Sequence, residues 1–349
     1  MNETADSGRK TRFLLGVIAF ILVIAAMKEA QALVVPLLLA LYAALVAAPA
    51  VAGLQRKNVP TWAAVMVVVL AMAMIVILLG VLAGTSVQDF SAKLPGYERQ
   101  LTERLQGLEE FIGGRGETVV RELMNTIDPG KAMSFAATVL DGVSGVLTNS
   151  ALILFTMILL LFDLTSFPDK IRGAVPNSKP ILDYLDTVTN SLKRYIVIKS
   201  LISLFTGVAV GLFVGLMGVD FPVLWGLLAF ALNFIPNIGS ILAAVPAVLL
   251  AMIQFGPGKA MVIAAGYVAI NVIVGNVIEP RITGQGLGLS TLVVFVSLVF
   301  WGWVLGTPGM LLSVPLTMTI KIGLESHSDS RWVAALLAPA SSDAPAPRG

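Results

Sequence analysis

Gly275-Asn276-Val277-Ile278-Glu279-Pro280-Arg281-Ile282-Thr283-Gly284 closes one long apolar run and opens onto another. It therefore marks a place where a membrane helix meets water. Pro280 disfavours the α conformation at Glu279, so the sequence predicts a helix that ends there and leaves its last carbonyls without intrahelical partners. Arg281 follows at the negative end of that helix, where a cation is favoured, while Asn276 and Glu279 share one face at i, i+3. Taken alone, the stretch is a capped helix end with a tight glycine turn. A functional reading rests on its flanks, because a proline-broken apolar hairpin lies on each side.

The first hairpin is Phe221 to Met252, interrupted at Asn233-Phe234-Ile235-Pro236-Asn237-Ile238-Gly239-Ser240. Its first limb has about 14 residues, or roughly 21 Å of helix, short of the roughly 30 Å hydrocarbon core of a bilayer. A re-entrant hairpin or a pair of broken half-helices is expected. Pro236 should clash with the carbonyl of Leu232, and Pro246 with that of Leu242, freeing backbone acceptors at membrane depth. Such groups are tolerated only where protein or a wet cavity satisfies them. The second hairpin, Leu289 to about Leu324, is interrupted at Gly302-Trp303-Val304-Leu305-Gly306-Thr307-Pro308-Gly309. A shift of 69 residues lays Leu242–Pro246 onto Leu311–Pro315. Each hairpin follows a single span, so the two must enter from opposite faces. That is the inverted-repeat plan of secondary transporters, with tips approaching near the midplane. Two unrelated kinked helix pairs are the alternative.

Composition sets the frame. The chain has 349 residues, 57% hydrophobic and 13% charged, with a mean hydropathy of +0.89. Several continuous apolar runs of this kind demand lipid, and their continuity excludes a β-barrel. The expected fold is an all-α polytopic membrane protein with about six full spans, two re-entrant or broken-helix hairpins and an amphipathic helical insert after the third span. Cysteine is absent, which excludes disulfides, a thiol nucleophile and a Cys-ligated metal. The single histidine, His327, lies beyond the last apolar run. No cofactor or metal is expected, no basic patch suits nucleic acid, and no nucleophile, base and oxyanion set points to an enzyme.

In chain order, residues 1–84 form a three-span unit. Phe13–Met27 reads as a retained anchor, joined through Lys28-Glu29 to Ala30–Leu54, and Thr61 to about Gly84 is the third span. Arg56 and Lys57 put their loop and the amino terminus on the cytoplasmic side. Residues 85–145 then fall outside. Leu94, Leu101, Leu105, Leu108 and Ile112 recur there at helical spacing, and Gly113-Gly114-Arg115-Gly116 and Asp128-Pro129-Gly130 supply turns. The unit 146–199 holds a fourth span and a cytoplasmic helix whose greasy face (Ile181, Leu185, Val188, Leu192, Tyr195) suits the membrane interface. The first repeat is 200–254, with Gly207, Gly211 and Gly215 every fourth residue for close helix contact. The second is 259–325, and a disordered cytoplasmic tail, 326–349, carries one apolar patch at Trp332–Leu337.

Polar groups at depth are the candidates for chemistry. Asn233, Pro236, Asn237, Gly239 and Ser240 make the first tip, Gly306 and Pro308 the second, and Asn271 and Asn276 lie on the last single span. Such amides often only hold helices together, for about 0.6–2 kcal/mol each. Glu279 is the best-placed ionisable group for binding a cation or carrying a proton, with Arg281 expected to hold it. Asp220, before the first hairpin, is the second choice.

Pro236-Asn237-Ile238-Gly239, Glu279-Pro280-Arg281-Ile282-Thr283-Gly284, and Trp301-Gly302 through Gly306, Gly309 and Val314-Pro315 resemble the autoinducer-2 exporter (AI-2E) family of bacterial membrane proteins. The likeness covers nearly the whole chain. It implies a multi-pass inner-membrane permease, both termini cytoplasmic, exporting the furanone-type quorum-sensing signal or related small polar solutes. It also implies ring-forming homo-oligomers, pentamers among them. Some members are described as Na⁺(Li⁺)/H⁺ antiporters, which makes a monovalent cation and a proton the alternative partners. A membrane scaffold that binds partners through the outer insert is the reading from another class.

Overall fold

The computed structural model describes residues 18–19, 21–112, 149–176, 178–236, 238–283, 288–326 and 330–339. Most of the insert after Ile112, Asn237, Gly284, His327 and the last ten residues lie outside the described residues. Among the described residues every regular element is a helix. Residues 21–29 (α1) lead into α2 (Gln31–Gln55) and α3 (Thr61–Ile112), followed by α4 (Ser150–Ala174) and α5 (Lys179–Leu216). The first hairpin is α6 (Pro222–Leu232) and α7 (Ile238–Phe255). Then come α8 (Pro257–Ile273), a π segment (Val274–Ile278), α9 (Glu279–Thr283), α10 (Thr291–Glu325) and α11 (Arg331–Leu337). Six of these helices are long and apolar enough to cross a membrane. This is an all-α polytopic membrane protein.

Several boundaries differ from the sequence expectation, each for a local reason. Lys28 and Glu29 are helical and form no turn. The break is the single residue Ala30 (φ −88°, ψ 15°), whose N–H still donates to Ala26. Lys, Glu and Ala are good helix formers, and no glycine or proline stands there to reverse the chain. The interfacial helix and the fifth span are one element, the 38-residue α5. Much of its greasy face is turned inward: Val188, Leu192 and Tyr195 pack with Tyr42, Leu45, Leu312 and Val314, while Ile181 stays 42% exposed. Likewise α3 continues past Gly84 into the insert, because a lone glycine with open space around it does not end a helix. The tail is helical over Arg331–Leu337 and docked, with the Ser290 N–H donating to the Leu337 carbonyl.

The hairpins are built alike. The first breaks between Leu232 and Ile238, the second at Gly306, whose φ of 69° breaks α10 into two limbs. In each, a glycine early in the second limb lies against a carbonyl near the end of the first. A Cβ on Gly239 would meet the Leu232 oxygen at 1.8 Å, and one on Gly309 the Trp301 oxygen at 2.0 Å. Trp301 Nε1 also donates to Thr317 Oγ1 (3.0 Å), tying the two limbs of the second hairpin together. Helix α5 is the spine between them. The ends of the first hairpin lie by its C-terminal end, where Gly215 packs on Pro222. The ends of the second cluster with its N-terminal half, where Leu289 and Ile322 join Tyr184, Val188 and Leu192.

The glycine stripe explains how α6 reaches inward. A Cβ on Gly207 would sit 2.7 Å from the Gly226 oxygen, and one on Gly211 3.3 Å from the Pro222 oxygen, so the backbones of α5 and α6 touch. Close backbone approach replaces side-chain burial as the source of packing between helices in lipid. Eleven residues of α6 rise roughly 16 Å, and its C-cap residue Asn233 is tied to Ser203 of α5. Gly207→Ala is expected to destabilise the protein by about 2 kcal/mol, within the range for overpacking. Thermal unfolding in detergent checks this, with Gly53→Ala, which meets nothing within 4 Å, as the unaffected control.

Candidate functional site

The break between α6 and α7 opens a cleft of ≈ 860 Å³. Its walls are the tip of the first hairpin, one side of α8 and the π segment, Lys199 of α5 and the start of α10 at Leu289–Val294. Asn233, Pro236, Ser240, Asn271, Asn276 and Glu279 all line it. Residues distant in the sequence are thus brought into one concave site, the usual form of a small-molecule pocket.

At one side of the cleft stands an ion pair. Lys199 Nζ donates to both carboxylate oxygens of Glu279, at 3.0 and 3.2 Å. Lys199 is buried (6% exposed), whereas the Glu279 side chain keeps 30% of its surface. A buried ammonium is tolerated only when a counter-charge and hydrogen bonds replace its hydration. The expected partner of Glu279 was Arg281, but Arg281 is exposed and lies outside the cleft lining. The reason lies in the helix path. Glu279 is α-helical (φ −59°, ψ −48°), so the chain does not end its helix before Pro280. The turn ahead widens to the π form, and the Glu279 N–H donates to the Val274 carbonyl five residues back. The chain passes through that wider turn with Glu279, Asn271, Gly275 and Asn276 on the cleft side.

Among the described residues, much of the tip's backbone is bonded within the tip. The Leu232 carbonyl accepts from the Ile235 N–H (2.8 Å), Ile235 accepts from Gly239 and Pro236 from Ile238. The acceptors expected to be freed near Pro236 are therefore engaged. Asn233 Nδ2 donates to Ser203 Oγ (3.0 Å), so that amide also serves as a helix tie. Gly239 is buried and contributes a close backbone approach rather than a ligand atom. Gly306 and Pro308 line a different cleft of ≈ 290 Å³ with Gln31, Pro36 and Asn149. Among the described residues, those of the second tip line this cleft and not the larger one, and the second tip is packed against α1 and α2 through Ile24, Met27, Val34 and Val35.

Two site residues were missed from sequence. Lys199 reads as one more cation of a basic loop, and nothing in its neighbourhood signals burial. Tyr267 lies in α8, lines the cleft and is 1% exposed. Its hydroxyl is the buried side-chain polar atom without a hydrogen-bond partner among the described residues. An unmet hydroxyl costs about 1–3 kcal/mol, and in a cleft it marks where a solute oxygen or water is wanted.

The profile of the AI-2E family transporters matches residues 15–328. The chain is 38% identical over 332 residues to the AI-2 transport protein TqsA of Escherichia coli, covering 95% of this chain and 96% of that one. It is 38% identical over 333 residues to a relative in Haemophilus influenzae, covering 93% and 96%. With YhhT of E. coli it shares 36% over 328 residues, covering 93% and 94%. These relatives are named for transport and none for catalysis. A match that runs from α1 past the end of α10, with relatives alike across nearly their full lengths, makes this chain a member of the AI-2E family of transporters.

Proposed function

We propose that the cleft is the transport site and that the chain exports a small polar solute of the autoinducer-2 type across the bacterial inner membrane. The reading places both termini in the cytoplasm, with homo-oligomers as the working assembly. The observation that carries it is the meeting of Tyr267, Asn271, Asn276 and Ser240 around the Lys199–Glu279 pair in one cleft. The charges of that pair cancel, and the remaining polar groups are amides and hydroxyls that can share hydrogen bonds with a solute oxygen. Glu279 is the charge-coupling group and Lys199 its resting partner.

Tyr267→Phe tests the site. The substitution removes a hydroxyl that has no partner, so thermal stability should stay level or rise slightly. Export of labelled signal should weaken about tenfold in KM, the size of one lost hydrogen bond to a solute. Unchanged KM overturns the assignment. A second reading, Na⁺(Li⁺)/H⁺ antiport, is favoured by the ion pair itself, since a cation and Lys199 can compete for the Glu279 carboxylate. It predicts collapse of a pH gradient in inverted vesicles on adding Na⁺ or Li⁺, without movement of labelled signal.

A further inference from the structure

The open end of the first hairpin carries a ring of hydrogen bonds remote from the cleft. Tyr97 Oη donates to Asp220 Oδ2 (2.5 Å), and Gln254 Nε2 donates to Tyr97 Oη (3.3 Å). The ring closes where the Asp220 N–H donates to Gln254 Oε1 (3.3 Å). Asp220 precedes the first limb and Gln254 is near the end of the second, so the ring joins both limbs to α3. Tyr97 belongs to the part of α3 beyond its apolar stretch, which ends at Phe90. Burial, then the hydrogen bond and charge of Asp220, push its phenol up from the usual range, so it remains a donor through neutral pH. The contact is reinforced by edge-on packing of Phe90 on Phe221 and Trp225 and of Tyr97 on Phe221.

The hairpin is hung between two glycines of unusual backbone, with Phe221 (φ 62°) also left-handed at the start of α6. Gly218 (φ 75°) precedes it and Gly256 (φ 89°) follows it, each just outside a ring residue. Glycines in that region absorb backbone rotation that other residues resist. Inside them α6 and α7 are helices, and rigid limbs between short hinges move as one body, here along the close α5–α6 contact at Gly207, Gly211 and Gly226. Among the described residues, α3 and the hairpin ends wall a cavity of ≈ 500 Å³ here, with Ala92, Lys93 and Gly96 facing Gly218 and Phe255, and the exposed Lys93 Nζ also reaches Asp220 Oδ2 at 3.5 Å.

We infer that the extension of α3 is a clamp on a hinged hairpin, and that Tyr97 is the positioning residue through which α3 sets where the hairpin tip stands in the cleft. The consequence for transport rests on the proposed function; the mechanical statement does not. The chain has no cysteine, so Ile241→Cys, at the tip and 65% exposed, takes a single spin label in the full-length protein. Tyr97→Phe keeps the ring against Phe221 and removes only the hydroxyl. It should add a second, more mobile component to the spectrum at position 241, with the clamped population reduced about tenfold relative to the released one. Asp220→Asn retains an acceptor for Tyr97 and should give an intermediate spectrum. Gln254→Met, which removes the bonds to Tyr97 and to the Asp220 N–H but keeps the shorter Tyr97–Asp220 bond, gives a smaller change of the same sign and serves if Tyr97→Phe does not fold. Export of labelled signal, measured without the label, should change with the spectrum. A changed spectrum with unchanged export keeps the clamp and overturns the cleft as the transport path. An unchanged spectrum in both Tyr97→Phe and Gln254→Met overturns the clamp.

Discussion

Glu279→Gln is expected to abolish transport and to destabilise the protein by roughly 3 kcal/mol, the lower end of the range for breaking a buried pair. The substitution leaves the Lys199 ammonium buried with its counter-charge gone. Lys199→Met should cost less, about 1 kcal/mol, because the carboxylate it leaves behind is 30% exposed and keeps some hydration. Joining the two substitutions removes both charges and should restore most of the stability, though not transport. The asymmetry follows from the unequal burial of the two charges, and the transport assay separates a working pair from a purely structural one. Thermal unfolding of all three variants in detergent, beside vesicle transport, measures it. Equal losses from the single variants would overturn the burial argument, and transport surviving in Glu279→Gln would remove the pair from the mechanism.

Gly239→Ala and Gly309→Ala should each prevent a stable fold. The added Cβ would stand 1.8 Å from the Leu232 oxygen in one case and 2.0 Å from the Trp301 oxygen in the other. Both obstacles are backbone, so no side chain can swing aside, and the cost should exceed the roughly 1–3 kcal/mol of ordinary overpacking. The matched pair also tests the likeness of the two hairpins, which predicts the same loss in both. Gly84→Ala and Gly258→Ala, with nothing within 4 Å, should leave the yield of monodisperse protein and its Tm unchanged. If Gly239→Ala or Gly309→Ala behaves like those controls, the close approach is not a requirement of the fold.

Much of the architecture is legible from composition and spacing. Unbroken apolar runs can only be helices in lipid, a glycine every fourth residue on α5 can only be a stripe, and Pro236 and Gly306 interrupt helices wherever the chain goes. Those are one-dimensional facts, so the membrane class, the two helix breaks and the family likeness follow from sequence. Local rules failed where a neighbour had the deciding influence. Pro280 should have ended a helix, yet a π turn carries the chain through it. Thr85 and Ser200 looked like boundaries, yet α3 and α5 pass straight over them. What only the tertiary structure decided is which groups meet. Lys199 and Glu279 are 80 residues apart and Tyr97 and Gln254 157, and no periodicity reports on contacts of that range. The packing of α5 against the hairpin and α8 turned a loop-like lysine into the buried partner of Glu279, because burying that ammonium demanded a carboxylate beside it.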